Sequence, residues 1–352
     1  MMIDYLFYLL IGTYTAGTSE GLYVYTFNEQ TGESEYVSTE KVENASYVTT
    51  NEDNTFVYAV TENAEEPAFA NTLSFDKQTG KLKLLNTQET KGGAPCNIVV
   101  DSRGTFAVTA NYSGGNLSVF PIQADGTLAA LSQLVTFEGK GIIAERQDKP
   151  HLHCVNFSPD GKYLFAADLG TDHIYRFDTD YSGKGAFLNE ESLVSCQTAA
   201  GSGPRHFIFH PSGKYMYLVT ELGGTVVGFI YADGDLKEFQ TIEADPLHAM
   251  GSADIRITLD GKFLYASNRL KGDGLAIYAI DQTTGRLTPN GYQYTGKHPR
   301  NFAVSPNGKF LLVADKDSDQ VQVFEIDGTT GLLTDIHKDI QLNMPVCLTF
   351  IE

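Results

Sequence analysis

Tryptophan is absent from the 352 residues. Its absence excludes the WD-type repeat signature and any Trp-docked quinone site. Cysteine is scarce: Cys96, Cys154, Cys196 and Cys347 are scattered, with no CxxC pair. Such scatter in a chain this long argues against a disulfide framework. Three of the four fall on apolar strand-like runs, so the thiols read as packing groups. No cysteine stands beside a histidine base in an obvious motif. Cys154 follows His153, but strand alternation should point the two side chains to opposite faces. Cations are few, 25 Lys and Arg against 44 Asp and Glu, for a net charge of −19. An acidic surface of that strength disfavours nucleic acid and anionic membranes, and it obliges an anionic substrate to find a local arginine cluster. Long apolar runs are missing as well. The stretch from Tyr5 to Ile11 is short, follows Asp4 and has no basic leader, so it reads as a strand and the chain as a soluble cytoplasmic protein. Helical periodicity is nearly absent, which removes any glycine-rich phosphate loop opening a helix.

Glycine, by contrast, is abundant at 34. Much of it falls in turns of a repeated hairpin. The clearest copy runs from Gly203 to Leu222. Phe207, Ile208 and Phe209 make one apolar strand, Pro211-Ser212-Gly213-Lys214 is turn chemistry, and Tyr215 to Val219 make a second strand. Equivalent turn positions are Asn54, Gly104, Gly161, Gly213, Gly261 and Gly308, recurring every 47 to 57 residues. Two further strand-like runs follow each hairpin, which gives the four strands of a propeller blade. Six blades fill about residues 45 to 343. The ends supply a seventh, with Leu6 to Thr15, Gly21 to Phe27 and Glu35 to Lys41 as its second to fourth strands and Met344 to Ile351 as its first. That pairing closes the ring and removes an exposed edge. The expected architecture is an all-β, seven-bladed β-propeller forming a single domain over 1–352.

First strands line a propeller's channel, and all their starts open on one face with the links that follow second strands. The candidates therefore gather around one rim. From strand starts come Tyr47, Asn97, His151, His153, Arg205, His206, Asp254, Arg256, His298 and Arg300. From second-strand ends come Glu62, Asn111, Tyr112, Asp168, Glu221, Asn268, Arg269, Asp315 and Lys316. Arg205 and Glu221 read equally as a rim ion pair, and His153 alone as an ordinary strand histidine. Alternation should let only one of Arg205 and His206 face the channel. No metal ligand set is expected: the histidines lack metal-site spacing, and Arg205 and Arg269 would compete for any rim calcium. Asp168, Asp254 and Asp315 read as caps or cross-blade partners.

Gly203-Pro204-Arg205-His206 with Phe209-His210-Pro211, then Glu221, resembles the seven-bladed 6-phosphogluconolactonases of bacteria. Ser252-Ala253-Asp254-Ile255 with Leu264 to Arg269, His153 with Ser158-Pro159-Asp160, and Pro299-Arg300-Asn301-Phe302 match the same family. Fungal carboxy-muconate cyclases share the fold. The resemblance implies hydrolysis of 6-phospho-D-glucono-1,5-lactone without a cofactor, with a small anionic lactone as the partner. It implies Glu221 as base, Arg205 and Arg269 as oxyanion or phosphate ligands, and His153 as proton donor or lactone-orienting group. His206, Asn268, Asp254, Arg300 and His151 would bind substrate. Arg256 stands where some relatives carry His. A cyclase, a lactonase for another sugar, and a non-catalytic scaffold are the competing readings; no protein partner is legible.

Overall fold

The computed structural model describes residues 6–65 and 67–351. Tyr5 and Asp4 of the N-terminal run lie outside them. Seven sheets form, each of antiparallel strands. The first blade joins Pro345–Ile351 to Leu6–Thr13, Gly21–Asn28 and Ser34–Lys41, in that order. The second holds Val48–Thr50, Phe56–Thr61, Phe69–Asp76 and Lys81–Glu89; the third Pro95–Val100, Phe106–Asn111, Asn116–Pro121 and Gln133–Thr136. Leu152–Phe157, Tyr163–Asp168, His173–Thr179 and Leu188–Gln197 make the fourth. Pro204–Phe209, Tyr215–Thr220, Thr225–Ala232 and Asp235–Glu243 make the fifth, and Ser252–Ile257, Phe263–Asn268, Gly274–Ile280 and Leu287–Tyr294 the sixth. The seventh has Pro299–Val304, Phe310–Asp315, Gln320–Ile326 and a split outer edge, Leu333–Asp335 and Ile340–Gln341. The innermost strands neighbour one another in a closed cycle, so the C-terminal strand closes the ring as expected.

The turn repeat has a backbone reason. Asn54, Gly104, Gly161, Gly213, Gly261 and Gly308 all have φ between 55° and 73°. An L side chain other than Asn rarely adopts that region, so the position selects glycine in nearly every blade. Between blades the apolar faces meet. Tyr217, Tyr265 and Tyr58 are fully buried there, yet each phenol donates to the carbonyl of a neighbouring turn glycine, Gly285, Gly331 and Gly126 respectively. A large ring thus fills the wedge without an orphaned hydroxyl.

One irregularity positions everything that follows. Six of the seven inner strands break register at their start, where one extra residue faces a continuous partner: Pro95/Asn97, Leu152/Cys154, Pro204/His206, Ser252/Ile255, Pro299/Asn301 and Pro345/Cys347. Proline opens four of these strands, and it has no N–H to give the ladder, so the break falls where a hydrogen bond is already missing. Such bulges re-aim side chains. Cys96, His153, Arg205, Arg300 and Val346, each the extra residue, all line one small cavity on the channel axis.

Candidate active site

Above the bulge residues stands a second set. In every blade the residue after the second strand gives its backbone N–H to a carbonyl ahead of the first strand, the one immediately before it in six blades and Asn44, four residues before Val48, in the second. These residues are Tyr14, Glu62, Tyr112, Leu169, Glu221, Arg269 and Lys316. The repeated backbone bond puts seven equivalent side chains around one mouth, the rim that the repeat implies.

Glu221 is the centre of that mouth. Its Oε2 accepts from Arg205 Nε at 2.7 Å and lies 3.2 Å from Arg269 Nη2, while its Oε1 accepts from Arg146 Nη2 at 2.5 Å. Arg205 is held further by the Ala253 carbonyl, and Arg269 by Gly251 and Ser252 carbonyls and by His298 Nε2 at 3.3 Å. Burial pushes the Glu221 carboxyl upward, but Arg269, Arg205 and Arg146 override it and hold it down at about 2. Burial, with Arg205 and Arg300 nearby, brings Arg269 down to about 9 despite Glu221. Across the mouth, Arg300 pairs with Glu62 at 3.2 Å, Tyr14 donates to the same carboxylate at 2.9 Å, and the Arg300 guanidinium lies over the Tyr14 ring. Four guanidiniums thus face two carboxylates. In a buried site that excess favours an anionic ligand, against the acidic balance of the whole chain.

Below Glu221 the cavity floor is imidazole. His206 Nδ1 donates to Asp254 Oδ1 at 2.8 Å. Asp254 is fully buried and also accepts from Asn301 at 2.7 Å and pairs with Arg256 at 3.1 Å. Its fixed charge holds the Nδ1–H tautomer, so Nε2 is the His206 nitrogen available to a ligand. Burial and then Arg205 bring His206 down to about 4, against the pull of Asp254. The His153 ring meets His206 edge-on with centroids 5.1 Å apart, and burial followed by Arg205 holds it well below the usual imidazole range. Both rings are neutral at neutral pH. Ser46 lines the same cavity, and its buried hydroxyl has no hydrogen-bond partner among the described residues.

Residues 8–350 match the lactonase family of seven-bladed β-propellers. The chain belongs to this family. It is 37% identical over 350 residues to a 6-phosphogluconolactonase of Bacillus subtilis, with 97% of each chain covered. A Bacteroides fragilis protein crystallised as a candidate 6-phosphogluconolactonase is 50% identical, with TM-score 0.97, covering 100% of this chain and 99% of that one. The periplasmic gluconolactonase of Pseudomonas aeruginosa is 33% identical, with TM-score 0.93 and 99% of each chain covered.

Within this lactonase propeller the expected residues divide. Arg205, Glu221 and Arg269 converge; Arg300, His153 and His206 face the same axis. Arg205 and His206 both line the cavity, contrary to strict alternation, because the bulge between Pro204 and His206 breaks the period of two. Three expected substrate contacts take other positions. Asn268 donates to the Ala244 carbonyl and accepts from Ser252 Oγ, fastening the fifth blade to the sixth. His151 is spent on the Tyr112 carbonyl and on Asp148, and its ring stacks on Tyr112. Asp254 lies beneath His206 and orients it. Cys154 packs in the apolar wedge as expected, but Cys96 reaches to 3.7 Å from His153 Nδ1, a thiol–imidazole contact from the neighbouring blade that no linear motif carries. Burial pushes the Cys96 thiol far up, so it is no thiolate nucleophile. Arg146 and Ser46 were not expected. Arg146 sits on the link over 137–151, the longest between blades, and that length was its only signal. Among the described residues no cluster of three or more His, Cys, Asp or Glu is spaced to hold a metal ion, and the larger surface grooves lie at the turn face, away from this chemistry.

Proposed function

We propose that the protein hydrolyses 6-phospho-D-glucono-1,5-lactone to 6-phosphogluconate. The observation that carries the reading is one buried carboxylate caged by three guanidiniums at the propeller mouth, in a chain whose relatives are named for this activity. Lactone opening needs a base for water, donors for the oxyanion and a proton for the departing ring oxygen. Glu221 takes a proton from water as the oxygen attacks C1. The carbonyl electrons move onto the exocyclic oxygen, where Arg205 and Arg269 meet the charge. The intermediate collapses, the C1–ring oxygen bond breaks, and the proton held by Glu221 passes to that oxygen. Neutral His153 orients the lactone by hydrogen bonding, and Ser46 offers its unpartnered hydroxyl to the sugar. Asp254 acts through His206 as a positioning residue.

A second assignment of the base rests on a specific contact. The Asp254–His206 pair leaves Nε2 toward the cavity, the arrangement that makes an imidazole a general base. Turnover of freshly prepared 6-phosphogluconolactone, corrected for spontaneous opening, decides. Glu221→Gln is expected to lose about 10²- to 10⁴-fold in kcat while His206→Asn loses less; the reverse order moves the base to His206. Wild-type turnover no faster than the blank overturns the 6-phosphogluconolactone reading and leaves a lactonase for another sugar, the cyclase and the scaffold.

A further inference from the structure

The three guanidiniums around Glu221 are not equivalent. Arg205 is 1% and Arg269 8% exposed in its side chain, and both are tied to backbone carbonyls. Arg146 is 37% exposed, and among the described residues its side chain reaches Glu221 and the Tyr112 phenol. Its backbone, in contrast, is fixed. Gln147 is fully buried and donates to the Leu169 carbonyl and to Asp172; the Gln147 carbonyl and side-chain oxygen accept from Gly141 and Ile143, and a turn from Ile143 carries Arg146. The result is a rigid post with one free arm at the outer side of the mouth. The two oxygens of Glu221 differ accordingly. Oε2 is bound by the two buried arginines, and Oε1 by Arg146 alone.

We infer that Arg146 is the phosphate-selecting residue: its guanidinium leaves Glu221 Oε1 for the substrate's phosphate, so that phosphate binding uncovers the oxygen that takes the proton from water. This inference rests on the lactonase reading and extends it to substrate choice. A phosphate dianion offers a guanidinium more charge and a better fork than one carboxylate oxygen, so the exchange is favourable. A lactone without phosphate provides nothing to draw Arg146 away, and Oε1 stays covered. Arg300, already closed on Glu62 and Tyr14, and the two buried arginines lack that freedom.

The test uses the full chain and the variants Arg146→Ala and Arg146→Lys, with three probes: 6-phosphogluconolactone, glucono-1,5-lactone and inorganic phosphate. Loss of one charge-assisted contact should lower kcat/KM for the phosphorylated lactone about 10- to 100-fold. The unphosphorylated lactone should lose far less or improve, because it carries no phosphate for Arg146 to hold and Oε1 is uncovered from the start. Lysine should restore part of the preference, as a point charge without the fork. Calorimetric binding of inorganic phosphate should weaken in parallel. Equal losses on both lactones, or phosphate binding unaltered in Arg146→Ala, overturn the inference. Should the wild type open neither lactone, the functional reading falls, while the phosphate titration still supports or refutes Arg146 as the phosphate ligand.

Discussion

Replacing Glu221 with glutamine separates what the carboxylate does for catalysis from what it does for the fold. Its pKa falls from 4.5 to about 2 in the folded chain, which corresponds to about 3 kcal/mol of preference for the charged form. Glutamine keeps the shape and removes the charge, leaving Arg146, Arg205 and Arg269 facing one another. Breaking a buried ion cluster from one side is destabilising by this order. At roughly 2.1 cal/mol/K per residue, 352 residues have a melting entropy of about 0.7 kcal/mol/K, so Tm should drop by about 4 °C at pH 7. The difference has a defined pH window. Above 4.5 the folded and unfolded carboxyls are both ionised and the cage contributes in full; between 4.5 and about 2 the unfolded carboxyl binds its proton first, and the contribution fades. Urea titrations of both proteins at pH 7 and again near the lower end should therefore converge as the acid is added. Phosphate supplies the missing negative charge, and at about 100 times its Kd should return about 2.7 kcal/mol to the variant. If Glu221→Gln melts at or above wild type at pH 7 without phosphate, the arginines do not depend on Glu221, and the ion cage is the wrong description of the mouth.

Four further outcomes follow from individual groups. Ser46→Ala removes a buried hydroxyl that has no partner, so stability should hold or rise while KM for the lactone increases; an unchanged KM in steady-state assays places Ser46 outside the binding site. His206 is held at about 4 and His298 at about 3, both by burial first, with His153 displaced the same way. Above an ordinary imidazole pKa neither folded nor unfolded chain binds these protons, and below it only the unfolded chain does, so stability should fall as pH drops from about 6.5 towards 4, read by denaturant midpoints; a flat profile there refutes the neutral imidazoles. Asp315 runs the other way. Burial raises it to about 8, so as pH climbs from about 3.8 to 8 the unfolded chain releases a proton that the folded chain keeps and wild-type stability falls; Asp315→Asn should match wild type near pH 4, exceed it already at pH 7 and keep a constant advantage above pH 8 in thermal scans. Because Glu221, Glu62 and Asp254 are each already paired with arginine, turnover should survive a chelator; loss of activity restored by calcium would place a metal among them.

The ring was legible because its signals are local. A left-handed turn position every blade selects glycine whatever else the blade does, and the unmatched strands at the two ends admit one closure. Arg205 and Glu221 were legible for the same reason: a hairpin of known register brings its two ends together, as Pro204 opposite Thr220 shows. What failed was the step from strand to side-chain direction. Alternation was applied to Arg205 and His206 as if the ladder were regular, and the bulge makes both face the axis. Asn268 and Arg269 illustrate the converse. They are neighbours at one strand end, but only Arg269, whose N–H reaches Gly251, turns into the mouth, while Asn268 is drawn outward by Ser252 and Ala244. Arg146 was hidden because a link has no period to read.

The bulges also explain how one scaffold holds charges of both signs so close together. A regular inner strand would send every second side chain to the channel and the rest into an apolar wedge, where a guanidinium has no acceptors. Adding one residue at the mouth gives a single position per blade that leaves the ladder without disturbing the packing below it. Where that position is apolar, as at Val346, or a thiol, as at Cys96, it brings no charge to the cavity it lines. Where it is Arg205 or Arg300, the guanidinium finds carboxylates from the residue after a second strand, Glu221 in its own blade for the one and Glu62, two blades on around the ring, for the other. Six bulge positions and seven strand-end positions can be substituted without repacking a wedge. It follows that substrate range should change by mutation within these two sets, and that changes at Tyr58, Tyr217 or Tyr265 in the wedges should cost stability with little effect on which lactone is opened.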